Sequence, residues 1–330
     1  MKKVIEVQNL TKRFSVEKRS GQKFPLNILK RKYEDILAVN NISFDINKGE
    51  FVGFIGCNGA GKTTTLKCLC GLLSPDDGEV NVLGYRPVER SHDLLKRMSL
   101  VMGNKSQLWW DLPSVDTFLL NKEVYEIDDK EYEENLNMMV DVLGIKNVVD
   151  IPVRKLSLGE RMKCELAASL LHFPEVVFLD EPTIGLDVFS QQALRNFLKE
   201  YRKERNATIV LTSHNMEDVT NLCERVLVID SGEIIYDGKL DELTKSFVKK
   251  KYVKFLLKKE VKVNEISKIG EVVSFNGMEG VVAVDRENIT NVLAKFLKEF
   301  EVIDIDVEEP SLEDVVRKIF KSAKESTSLG

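Results

Sequence analysis

Alternating apolar and polar positions open the chain. Val4–Leu10 and Leu37–Ile46 each read as a half-buried strand, and between them a basic stretch with Gly and Pro, 15–32, reads as an inserted loop. Glu50–Ile55 is a short apolar strand that runs directly into glycines and a helix-forming segment. Val176–Leu179, Thr208–Leu211 and Val226–Ile229 have the same buried-strand character, with helical patterns between them. That order predicts crossover units and a parallel sheet. A span of about residues 91–165 keeps helical spacing and many charges around one strand, Ser99–Met102, and is expected to be a helical subdomain inserted into the α/β core.

From about Thr244 the pattern changes. Lys249–Lys251 reads as a linker, and strands are expected at Tyr252–Leu257, Val272–Phe275 and Val281–Val284. Ile289, Val292, Leu293, Phe296, Leu297 and Phe300 then recur at helical spacing, giving one apolar face. A strand, Val302–Val307, and a helix, Leu312–Phe320, complete a small α+β unit. The expected organisation is a large domain 1–243, a linker 244–251, an α+β domain 252–322 and a frayed tail 323–330.

With 330 residues, 43% of them hydrophobic, there is room for about two domains with proper cores. No run of about 18 apolar residues is present, so the chain is not expected to span a bilayer, and Met1-Lys2-Lys3-Val4 leads into no signal-peptide core. Cys57, Cys68, Cys70, Cys164 and Cys223 match neither a zinc pattern nor a disulfide framework, which fits a reducing cytosol. A net charge of −5 argues against nucleic acid as the main partner, yet the charge is uneven. Lys12, Arg13, Lys18, Arg19, Lys23, Lys30, Arg31 and Lys32 stand against Glu17 alone, whereas 301–314 is strongly acidic. A basic run is ordinarily a solvated face; the alternative is contact with anionic lipid headgroups.

Three motifs carry chemistry. Gly56-Cys57-Asn58-Gly59-Ala60-Gly61-Lys62-Thr63 has the spacing G-x-x-x-x-G-K-[ST] between a strand and a helix. Glycines let backbone N–H groups turn inward around phosphate oxygens, and the helix N-terminus adds partial positive charge. Lys62 is expected at the β- and γ-phosphates and the Thr63 hydroxyl on Mg²⁺, with Thr64 completing the phosphate-binding set. The apolar strand Val176–Leu179 ends in Asp180 and Glu181, which should emerge at its C-terminal edge. Asp180 is then placed to hold Mg²⁺ and Glu181 to polarise the water that attacks the γ-phosphate. By itself, such a pair is equally a solvated strand end. Leu156-Ser157-Leu158-Gly159-Glu160 precedes a long helical pattern and contains a capping box, Ser157-x-x-Glu160. An exposed N-terminus there would bind the γ-phosphate of a nucleotide held by another subunit.

With these motifs in this order, followed by Ile184-Gly185-Leu186-Asp187 and Leu211-Thr212-Ser213-His214, the chain resembles the ATP-binding subunit of ABC (ATP-binding cassette) transporters over about residues 1–240. The resemblance implies a P-loop NTPase core (α/β) with a parallel sheet, an N-terminal antiparallel β subdomain and an inserted helical subdomain. It further implies ATP and Mg²⁺ as ligands, a second ATP-binding subunit, and separate membrane-spanning permease subunits at the cytoplasmic face of the membrane. Two departures are the third and fifth signature residues, where the family has Gly and Gln and this chain has Leu158 and Glu160; the implied phosphate contacts are Ser157 and Gly159.

By the same resemblance Asp187 crosses the dimer interface and His214 contacts the γ-phosphate. The adenine-stacking aromatic looks like Tyr33, with Phe14 as competitor. The glutamine that senses Mg²⁺ is expected after Ser99–Met102. Gln107 supplies it, a few residues late, with Gly103 at the usual place. Trp109 and Trp110 are either packed in the helical subdomain or line a groove for a permease helix. The α+β unit and Leu108–Pro113 look like those of exporter-type subunits. A soluble ABC-type ATPase acting on ribosomes or nucleic-acid assemblies is the main rival; a P-loop kinase would leave Leu156–Glu160 and His214 unexplained.

Overall fold

The computed structural model describes residues 2–18, 32–247, 250–309, 312–317 and 319. The chain divides into two compact units, Met1–Gly238 and Lys239–Gly330.

The first unit starts with two long antiparallel strands, β1 (Lys3–Lys18) and β2 (Lys32–Asn47). In chain order follow β3 (Phe51–Ile55), α1 (Lys62–Leu69), β4 (Asp77–Val82), α2 (His92–Leu95), β5 (Met98–Met102), α3 (Ser114–Tyr125), α4 (Asp129–Leu143) and α5 (Leu158–Leu170). Then come β6 (Val176–Asp180), α6 (Val188–Arg205), β7 (Thr208–Thr212), α7 (Met216–Leu222), β8 (Arg225–Asp230) and β9 (Glu233–Lys239). One sheet has the order β2-β1-β4; the other is six-stranded, β5-β6-β7-β3-β8-β9, and parallel from β5 through β8. Strands β3, β6 and β7 are buried at every position, which explains why they read as continuous apolar runs. The two sheets share a core, in which the Phe44 ring meets Phe54 edge-on at 5.3 Å.

Strand β1 pairs with β4 only as far as Thr11, opposite Asp77, and then runs on with β2 alone. The expected loop at 15–32 is therefore strand at both ends. Phe14 and Val16 continue the alternation opposite Ile36 and Glu34, and 19–31 lie outside the described residues. Between Lys12 and Arg13 the partner jumps from Val39 to Leu37, which leaves Ala38 as the extra residue of a β-bulge.

The second unit comprises α8 (Leu240–Phe247), β10 (Lys250–Leu257), α9 (Val263–Ile266), β11 (Glu271–Phe275), β12 (Glu279–Asp285), α10 (Ile289–Glu299), β13 (Val302–Glu308) and a helical segment at 312–317. Its sheet, ordered β11-β12-β10-β13, is antiparallel throughout. Val253, Phe255 and Leu257 alternate onto the core face of β10, where Phe296 of α10 lies 4.7 Å from Phe255, ring to ring. Of the expected linker 244–251, residues 248–249 lie outside the described residues, and the rest belong to regular elements. Residues 244–247 finish α8, whose Leu240 and Leu243 are buried one turn apart, and 250–251 begin β10. The tail 323–330 lies outside the described residues.

Candidate functional site

The parallel strands deliver their carboxyl ends to one edge of the sheet, the place where open α/β sheets bind ligands. Strand β3 ends in the loop 56–61, which passes so close to β8 that a Cβ on Gly56 would sit 2.5 Å from the Ile229 carbonyl oxygen. Gly61, at φ +108°, turns the loop into α1 beside the Ala38 bulge, where a Cβ would lie 2.5 Å from the Ala38 oxygen. Lys62 is buried, and its Nζ donates to the Gly56 carbonyl at 2.7 Å and the Cys57 carbonyl at 3.1 Å. Burial pulls its pKa below the ordinary lysine value, opposed by the nearby Glu181, Cys57 and Asp180.

Asp180 closes β6 and is buried there, where the sequence pattern predicts an emerging acid; two hydroxyls compensate the burial. Its Oδ1 accepts hydrogen bonds from the Thr63 hydroxyl at 2.9 Å and the Thr212 hydroxyl at 2.6 Å. A carboxylate and a hydroxyl side by side are hard oxygen donors. They fit Mg²⁺, a cation held by one or two protein groups plus substrate phosphates. Glu181 follows at φ 54°, a conformation that costs a non-glycine residue energy, and is fixed there by its N–H donating to the Thr212 carbonyl at 3.0 Å. The turn swings its carboxylate to His214 at the end of β7, with Oε2 2.5 Å from Nδ1. A cleft of about 510 Å³ lies over these groups, lined by Ala38, the loop 58–64, Glu181, Ile184 and His214.

Ser157, Gly159 and Asp187 form a second locus and do not line this cleft. Ser157 caps α5 in the expected box: Oε2 of Glu160 accepts from the Ser157 N–H at 2.9 Å and its hydroxyl at 2.8 Å, while the Glu160 N–H donates to Ser157 Oγ at 3.3 Å. Those bonds hold the Glu160 carboxyl below the usual carboxylate range. A Cβ on Gly159 would meet Ser190 Oγ at 2.3 Å, so the first turn of α5 packs on the first turn of α6. Asp187 caps α6, accepting from the Ser190 N–H at 3.0 Å and hydroxyl at 2.6 Å, which lowers its pKa. Around them Leu158, Ile184, Val188 and Phe189 are exposed, Phe189 to 87%.

Gln107 is not brought to the cleft. Its Nε2 donates to the Leu100 carbonyl at 3.0 Å and to Ser169 Oγ at 2.9 Å, and its N–H to Oε1 of the buried Glu165 at 2.5 Å. It lines a separate groove of about 320 Å³ with Leu72, Val124 and Tyr125. Gly103 stands beside the site instead: its N–H donates to the Asp180 carbonyl at 2.8 Å, and a Cβ would lie 2.0 Å from the Glu181 oxygen. Tyr33 is exposed opposite Glu17, five residues from the cleft-lining Ala38. Phe14 sits opposite Ile36, two residues from Ala38. At about 3.3 Å per residue, Tyr33 is roughly 17 Å along the strand from the cleft and Phe14 roughly 7 Å. Both tryptophans are more than half exposed, Trp110 under the Arg161 guanidinium at 5.9 Å, so neither is packed in a core.

Two further residues shape the site. Arg195, 1% exposed on the inner face of α6, donates to Asp218 at 2.7 Å and Glu217 at 3.0 Å. Asp218 in turn accepts from Thr183, just beyond Glu181, and from Ser213 at 3.2 Å, just before His214. The buried pair thus ties together the two loops that carry Glu181 and His214.

The family described as "ABC transporter" matches residues 39–184, and "EvrA-like ABC transporter, C-terminal domain" matches 249–308. The chain is 33% identical to the ABC transporter ATP-binding protein NatA of Bacillus subtilis, over 66% of this chain and 89% of that one. It is 30% identical to the bacitracin transport ATP-binding protein BcrA of Bacillus licheniformis, over 69% and 73%. Among solved structures, the fold is similar to an ATP-binding subunit of an ABC transporter (TM-score 0.61, 23% identity, 74% of this chain and 93% of that one). It is also similar to the cassette MJ0796 in a post-hydrolysis dimer with ADP and Pi (TM-score 0.60, 22% identity, 72% and 98%).

Proposed function

We propose that this chain, which belongs to the family of ABC transporter ATP-binding proteins and is an ATPase, drives export through separate membrane-spanning subunits. The observation that carries the reading is the division of one chemistry between two loci. Phosphate loop, Glu181 and His214 converge on one cleft, with Asp180 bonded to its Thr63, while the capped, exposed N-terminus of α5 lies outside it. A second cassette would supply its Ser157 and Gly159 to the open side of this cleft and Asp187 to the boundary. Both loci are present in this one chain, so two copies suffice for two complete sites.

Lys62 and the loop amides bind the β- and γ-phosphates, the electrostatic part of the work. Thr63 and Asp180 hold Mg²⁺, which when bound neutralises charge on the phosphates. Glu181 takes a proton from the attacking water, and His214 orients that carboxylate through the 2.5 Å contact. The geometry favours Phe14 over Tyr33 as the ring under the base. Asp218 and Arg195 keep the Glu181 and His214 loops in register. For the membrane subunit, the groove with Leu72, Val124 and Tyr125 offers an apolar seat. Among the described residues no helix is long and apolar enough to cross a membrane.

Affinity capture of the tagged chain from membranes, in detergent with ATP, tests the transport reading. Enrichment of a polytopic membrane protein, lost on Leu72→Asp with Val124→Asp, is the expected result; enrichment of ribosomes in its place overturns it. Efflux assays on the captured pair decide direction.

A further inference from the structure

We infer that Glu165 is a positioning residue, which joins the loop 103–108 to helix α5 and so fixes how far Glu181 stands from Ser157 within one chain. Glu165 lies on α5 among Cys164, Leu166, Ala167 and Ala168, all buried, and is itself 2% exposed. A carboxylate in such a place needs partners. The loop provides them: Oε2 accepts from the Ser106 hydroxyl at 2.8 Å and Oε1 from the Gln107 N–H at 2.5 Å. Burial pushes the carboxyl pKa up, and these bonds, with one from the Leu108 N–H and the charge of Arg161, pull against it. One turn further along α5, Ser169 Oγ accepts from Gln107 Nε2 at 2.9 Å. Packing alone would be served by an aliphatic side chain at 165; the loop accounts for the acid.

The other end of the same loop is bound to the end of β6. Gly103 donates its N–H to the Asp180 carbonyl at 2.8 Å and leaves no room for a Cβ against the Glu181 oxygen. Three residues on, Ser106 meets Glu165. At about 1.5 Å per residue, Glu165 stands roughly 12 Å along α5 from Ser157 at its cap. A short loop pinned at both ends thus connects Glu181 to the helix that carries the second locus. The consequence rests on the two-cassette reading. Each chain then touches two nucleotides, one at Glu181 and the other at Ser157, and a fixed spacing makes the two sites close together. Without the bonds to Glu165, the first site fills while α5 drifts from its place against the second nucleotide.

The experiment starts from Glu181→Gln, in which ATP-bound dimers should accumulate, and reads the chain concentration at half-dimerisation by analytical ultracentrifugation in saturating Mg·ATP. Glu165→Leu, which removes both acceptors, should raise that concentration at least about tenfold, while the ATP affinity of the dilute chain stays within about twofold. Glu165→Gln, which keeps a carbonyl for the Gln107 N–H, should recover most of the loss. Ser106→Ala removes one bond from the loop side, leaves α5 whole, and should raise the midpoint about threefold. An unmoved midpoint in either Glu165→Leu or Ser106→Ala overturns the inference. So does ATP affinity falling in step with dimerisation, which makes Glu165 a residue of the fold only. A Glu181→Gln parent that stays monomeric in ATP removes the two-cassette reading, and the inference with it.

Discussion

Nδ1 of His214 lies 2.5 Å from Oε2 of Glu181, and the His214 N–H is directed at the same oxygen from 3.3 Å. Two donors on one carboxylate oxygen fix its rotamer, and the free oxygen is the one that can face water. Glu181→Gln keeps the shape and removes the base. ATP affinity should be retained, hydrolysis should fall at least about a hundredfold, and ATP-bound dimers should accumulate, as read by single-turnover assays and size-exclusion chromatography. Unchanged turnover would remove Glu181 from the mechanism.

Lys62→Ala should abolish ATP binding measured by equilibrium titration, since no other buried cation reaches the loop among the described residues. Asp180→Asn should leave nucleotide binding without metal intact and raise the Mg²⁺ needed for half-maximal activity by about ten- to a hundredfold. A variant with both metal dependence and rate unaltered would show that the Thr63–Asp180 bond is structural only.

Phe14→Ser should weaken ATP about tenfold and leave inorganic triphosphate unaffected, whereas Tyr33→Ser should alter neither affinity. The opposite ranking would return the base to Tyr33.

Asp218→Asn leaves the Arg195 guanidinium buried with its main partner neutral. A loss of about 3–5 kcal/mol in chemical denaturation is expected. Arg195→Leu combined with Asp218→Leu should recover much of it, yet kcat should stay low with KM little changed, because the loops of Glu181 and His214 lose their tie.

His172 stacks on Tyr125 with ring centroids 3.7 Å apart, and burial lowers its pKa to about 4. Its unfolded value lies near 6.5. The unfolded chain therefore binds more protons between these values, so this residue's contribution to stability is intact above about pH 6.5 and declines as pH falls towards 4. Melting curves across that window should flatten in His172→Gln; an unchanged slope would assign the dependence elsewhere.

Much of the site is local in sequence and was legible for that reason. The phosphate loop is eight contiguous residues, and Asp180–Glu181 are conspicuous as acids ending an apolar strand. Gln107 misled because the path of its loop is set by a bond to Glu165, 58 residues away. The β1–β2 ribbon reads as a loop in the sequence because the pairing that extends it, Phe14 with Ile36 and Val16 with Glu34, spans a basic segment that punctuates the pattern. Arg195 and Asp218 left one readable trace. On α6 the neighbours Leu194, Phe197, Leu198 and Tyr201 face inward, and an arginine on that same face demands a buried acid somewhere. Its partner, 23 residues on, is supplied by the fold.

The cap of α5 has a consequence for how tightly a phosphate can be gripped there. Glu160 is ionised, and one of its oxygens already holds both the amide and the hydroxyl of Ser157. Any arriving anion must win that hydroxyl from a carboxylate of its own sign. A glutamine in the same place would let go at less cost, so under the proposed two-cassette reading this helix end would act as a sprung latch, closing only against resistance and reopening readily.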